Sequence, residues 1–167
     1  MKTSRAKTSA AKLAFAVLFG ATFAAQADDD RRGPPLPMLP MLPMLPKYQQ
    51  ECASCHIAYP PGLLPAESWR RLITALPHHF GADASLDAAS AKELSTWLAA
   101  NAGTYKRVRD APPEDRITRS AWFTRKHDEV TPATWKRPAV KSAANCSACH
   151  AQAEQGDFNE HNVRIPR

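Results

Sequence analysis

The sequence predicts a mainly α chain made of two small units, the first regular and the second irregular. Three observations lead there. Apolar residues recur at helical spacing between positions 47 and 105, whereas residues 106–167 are rich in proline and charge and poor in aliphatic side chains. No run of alternating or β-branched residues marks a strand. All four cysteines fall in one pattern used twice, "CASCH" at 52–56 and "CSACH" at 146–150, so each unit carries one copy.

Taking the elements in order, Lys2, Arg5, Lys7 and Lys12 precede an apolar run from Leu13 to Ala25, followed by Ala25-Gln26-Ala27. This is the layout of a secretory signal peptide over residues 1–27, cleaved after Ala27, and it predicts export to a bacterial periplasm. The run is too short to span a bilayer comfortably, and no later segment is longer, so no membrane insertion of the mature chain is expected. Four of the 22 basic residues and none of the 16 acidic ones precede Asp28, so removing this stretch lowers the formal net charge from +6 to +2. That small excess does not indicate nucleic-acid binding.

Residues 28–46 repeat Met-Leu-Pro three times and favour an extended polyproline II lead segment. It reads as a spacer or surface arm, with docking to a partner or cover for a cofactor edge as alternatives. The first unit, 47–105, opens on the helix bearing the first cysteine pair and continues through the turn-rich "YPPGLLP". In "PAESWRRLITALPHHFG", Trp69, Leu72, Ile73 and Leu76 share a helix face. His79 continues that stripe and His78 points away, although Pro77 can kink or end the helix. In "SLDAASAKELSTWLAANAG", Leu94, Trp97 and Leu98 share a face and Gly103 is placed to end the helix. The second unit, 106–167, offers one short helix in "RSAWFTRKHDEV", where Phe123 lies on the face of His127.

The cysteine motifs carry the chemistry. A disulfide oxidoreductase would use one Cys-x-x-Cys near a strand–helix–strand pattern, and a zinc site would set its two pairs some 15–20 residues apart. Neither fits two copies about 90 residues apart. Cys-x-x-Cys-His is the signature of c-type haem attachment: two thiols add to the haem vinyl groups and the next residue binds the iron. Cys52, Cys55, Cys146 and Cys149 are therefore the expected attachment residues for two covalently bound haem c groups, with His56 and His150 as the first iron ligands.

The second ligand on each iron separates a carrier from a gas binder or peroxidase. No methionine follows Met44, so histidine is the remaining common candidate. Helix phase favours His79 for the first iron, and the polar, terminal setting of His161 favours His127 for the second. Trp69 and Trp97 read as haem-packing or as ordinary core residues. Lys136, Arg137 and Lys141 read either as partners for haem propionates or as a solvated basic face. A haem enzyme or gas sensor with an open iron is the alternative function.

The chain resembles the small periplasmic dihaem cytochrome c family, in which each domain holds one bis-histidine haem. The resemblance is carried by "YQQECASCHIAYPPGLLPAESWRRL", "HFG", "RITRSAWFTRKHDEV" and "NCSACHAQAEQGDF". It implies a class I cytochrome c-like first domain and an irregular second domain wrapped around its haem. It also implies a low-potential electron carrier, not an enzyme, and His79 and His127 as the distal ligands. A membrane b-type cytochrome would be the donor and a small oxygen-binding monohaem cytochrome c the acceptor, with the protein expected to be a monomer.

Overall fold

The computed structural model describes residues 43–167; the expected signal peptide and most of the Met-Leu-Pro lead lie outside the described residues. The helices are short: α1 (Pro46–Cys52), α2 (Ala66–Thr74), α3 (Ala88–Ala100), α4 (Ala121–Lys126) and α5 (Pro132–Trp135). Short 3-10 turns join them, and the described residues contain no named strand, only isolated bridges at His79–Ala82 and His150–Val163. The chain is thus mainly helical, as the missing strand pattern predicts.

The core sits in the first half. Tyr48 of α1, Leu64, Trp69 of α2, and Leu94 and Leu98 of α3 form one buried cluster, with Trp97 and Ile117 packed at its edge. Three of these come from the helix stripes read in the sequence. Two polar atoms enter the cluster already satisfied: Trp69 Nε1 donates to the Pro61 carbonyl at 2.7 Å and the Tyr48 hydroxyl donates to the Tyr59 carbonyl at 2.9 Å. Their bonds avoid the cost of a buried unpaired donor. Trp69 is therefore a core residue, whereas Trp97 is half-buried and tilted against Tyr48, their ring centroids 5.4 Å apart.

Local chemistry sets the helix ends. Asp87 caps α3, its carboxylate accepting from Ala89 N and Ser90 N at 3.0 Å each. α2 stops at Thr74, earlier than its apolar stripe suggests, because Pro77 has no N–H to continue the ladder. The chain instead takes a 3-10 turn over Leu76–His78, with His79 N bonded to Leu76 O at 3.3 Å. His79 is still carried inward and His78 outward.

Gly103 does not end α3, whose last residue is Ala100 and whose cap is Asn101. It is needed for space. A Cβ there would run into Val108 Cγ2 and the Gly62 carbonyl oxygen, and Gly103 N bonds to Leu64 O at 2.9 Å. This contact locks the segment after α3 onto the Pro61–Leu63 turn.

The second half is irregular, with a few buried anchors: Val108, Phe123, Val140 and Ala153. Ser120 caps α4 by accepting from Phe123 N at 3.2 Å, and Thr131 caps α5. The C-terminal stretch lies against the second cysteine motif: Arg164 N bonds to Cys149 O at 2.9 Å and Arg137 Nη1 donates to Pro166 O at 2.7 Å.

Candidate functional site

Each Cys-x-x-Cys-His copy forms a tight turn. Cys52 ends α1, and the turn that follows leads through Cys55 to His56. In the second copy Cys146–Ala148 is a 3-10 turn, and His150 N closes onto Cys146 O at 2.8 Å. Burial pushes the Cys52 and Cys146 thiols up to about 11, so at neutral pH both stay protonated.

Two pairs of imidazoles face each other. The rings of His56 and His79 have centroids 6.2 Å apart, and those of His127 and His150 are also 6.2 Å apart. Two imidazoles bound to one metal, each through a metal–nitrogen bond of about 2 Å, have ring centres roughly 6 Å apart. Each pair thus matches the spacing of two axial ligands on one iron. Among the described residues, no three or more His, Cys, Asp or Glu side chains converge as a metal site. A metal between either pair must bring further donors, which is what a macrocycle supplies.

The rings are held in ligand-ready states. His56 Nδ1 lies 2.6 Å from the Ile57 carbonyl oxygen and His127 Nδ1 lies 2.9 Å from the Phe123 carbonyl oxygen. A carbonyl only accepts, so Nδ1 is the donor in each and Nε2 is the nitrogen left to meet a metal. Burial lowers the pKa of His79, aided by neighbouring His56 and Arg116. Burial also lowers that of His150, aided by His127 and partly opposed by Asp157. Each shift favours the neutral imidazole, the form that binds metal.

Aromatic packing fixes the ring planes. Tyr59 stacks on His56 at 4.7 Å and 24°, and Phe123 stacks on His127 at 3.9 Å and 18°. Trp135 flanks His127 and Phe158 sits edge-on to His150. Among the described residues, two buried side-chain polar atoms, His79 Nδ1 and Trp122 Nε1, have no hydrogen-bond partner. Such orphans cost free energy until a partner meets them, and a haem would bring partners of that kind in its iron and its two carboxylates.

The remaining sequence candidates separate. His161 is exposed in the 3-10 turn Glu160–Asn162, and His78 is exposed on the outer side of its turn. Lys136 and Lys141 are exposed, while Arg137 is half-buried and occupied by the Pro166 carbonyl. Sequence reasoning missed Tyr59, whose partner lies 85 positions away, and the stabilising contact of Arg116 over the Phe80 ring at 4.0 Å.

A family profile described as dihaem cytochrome c matches residues 48–158. Among solved structures, a dihaem cytochrome c from Shewanella baltica OS155 is 40% identical, covering 72% of this chain and 92% of that one with a TM-score of 0.65. A DHC crystal structure from Rhodobacter sphaeroides is 46% identical over 69% of this chain and 97% of that one, with a TM-score of 0.61. A further Rhodobacter sphaeroides structure, a dihaem cytochrome c, is 44% identical over 71% and 99%, with a TM-score of 0.62. A search of curated protein sequences gives no significant match.

Proposed function

The chain belongs to the dihaem cytochrome c family, and on that premise we propose that it is a low-potential electron carrier with both irons closed by histidine pairs. Membership brings two covalently bound haem c groups and a role in electron transfer. The finer reading assigns Cys52 and Cys55 to the first haem, with His56 and His79 as its axial ligands. Cys146 and Cys149 hold the second, with His150 and His127 as ligands. The observation that carries it is the repeated 6.2 Å spacing between one motif histidine and one distant histidine.

When bound, each haem supplies a one-electron couple at iron. The protein residues set where that couple lies and keep other chemistry out. Two nitrogen ligands leave the potential lower than a histidine–methionine pair would. With a histidine pair holding each iron, oxygen, peroxide or nitric oxide would find no open coordination position. The short carbonyl bonds to His56 and His127 hold those rings in one tautomer and orientation, so little has to move when charge changes.

The working place proposed is the periplasm, with the signal peptide cleaved after Ala27. A membrane b-type cytochrome is the proposed donor and a small oxygen-binding monohaem cytochrome c the proposed acceptor. Lys136 and Lys141 are exposed ahead of the second motif and suit steering of an acidic partner toward that haem. Stopped-flow electron transfer to the monohaem acceptor across a salt series tests this. The rate should fall with salt, and Lys136→Gln with Lys141→Gln should flatten the slope. An unchanged rate and slope would place the docking face elsewhere.

A further inference from the structure

We infer that Tyr59 is the link between the two haem sites, a positioning residue that couples the His56 ring to the attachment segment of the second haem. This rests on the ligand and attachment assignments proposed above for His56 and Cys146.

Tyr59 touches both ends. Its ring stacks on His56 with centroids 4.7 Å apart and planes 24° apart. Its hydroxyl donates at 2.7 Å to the Ala144 carbonyl oxygen. The same oxygen lies 3.7 Å from Cys146 Sγ, a packed contact. Going from the first proximal ring to the second attachment sulfur therefore crosses one ring stack, one phenol, one hydrogen bond and one sulfur contact. No gap in that series is wider than a packed contact. Electron tunnelling weakens less through bonded and touching atoms than through voids, so this is a favoured route between the sites.

The tyrosine is also held still. The Tyr48 hydroxyl, from the buried core, donates to the Tyr59 carbonyl at 2.9 Å. With both haems bound, one electron would leave the ferrous iron of one site and reduce the ferric iron of the other. No bond is made or broken, and the phenol is neither oxidised nor deprotonated.

A pin joining two halves of a protein would show the same hydrogen bond, so proximity alone is not coupling. The test uses the intact dihaem protein. A substoichiometric pulse of a photogenerated reductant is followed by redistribution of the electron between the two haems, with thermal unfolding measured in parallel. The spectrum of the unsubstituted protein is recorded first, and a high-spin haem there would contradict the ligand assignments and not the link. Tyr59→Phe keeps the stack and removes the hydrogen bond, and it should slow redistribution severalfold while both haems stay low-spin. Tyr59→Leu removes both and should slow it by an order of magnitude. Redistribution at the unsubstituted rate in Tyr59→Phe and in any folded Tyr59→Leu protein would overturn the inference and leave Tyr59 a structural pin. If only Tyr59→Phe folds, its rate decides.

Discussion

At the residue scale, His127 shows how a short helix orients a proposed ligand. It caps α4, with its N–H bonded to Phe123 O at 3.1 Å, its Nδ1 on the same carbonyl, and its ring stacked on the Phe123 ring. One residue, four positions earlier, fixes backbone, tautomer and plane together. His79 is held differently, by a 3-10 turn that Pro77 imposes. His79→Ala should turn the first haem high-spin and leave the second low-spin, and His127→Ala should do the reverse. Each variant should convert about half of the haem, as judged by the ferric visible spectrum, because one axial ligand is lost at one iron. His161→Ala should leave both bands unchanged. A high-spin signal in the His161 variant with none in the His127 variant would exchange their roles. The i, i+4 relation of Phe123 and His127 was legible in the sequence, since it needs only helix geometry. The Tyr59–Ala144 bond was not, since nothing local marks contacts between residues so far apart.

At the scale of elements, the sequence periodicity located the helices better than their ends. The Leu94–Leu98 stripe becomes the buried face of α3, and Trp69 joins the same cluster from α2. The extension of α2 to His79 did not follow, because one missing N–H outweighs a continuing apolar pattern. Gly103 was legible as a special position for the wrong reason. A glycine near a helix end suggests a cap, whereas here it makes room for Val108 and the Gly62 carbonyl, contacts that only the folded chain reveals. Gly103→Ala should therefore destabilise the protein by about 1–3 kcal/mol, the usual range for forcing extra volume into a tight contact. Thermal unfolding of the holoprotein measures it. A melting temperature equal to that of the unsubstituted protein would mean that Val108 and the Pro61–Leu63 turn yield without cost.

At the scale of the whole molecule, the described residues hold together through a few long-range ties. Arg71 on α2 makes a two-pronged bond with the Asp115 carboxylate at 2.6 and 2.8 Å, pulling that carboxyl's pKa below its usual value. Asp115 and its neighbour Glu114 both adopt left-handed backbone, at φ of 54° and 57°. Arg71 anchors the first of these residues, while Arg116 and Arg119 pair with the second, offsetting the strain of that bend. Tyr59 to Ala144 and Arg116 over Phe80 add two more ties. The overall class, the two haem motifs and the irregular second half were legible because they depend on composition and spacing. The ties were not, because a charged pair 44 positions apart looks like any other surface charges until the backbone brings them together. The reading proposed for the molecule is two irons, each held between two histidines, in a chain of an electron-transfer family. Carbon monoxide added to the fully reduced protein tests that claim most directly. The account predicts a visible spectrum that stays unchanged or shifts only slowly, and rapid binding at either haem in an intact sample would contradict it.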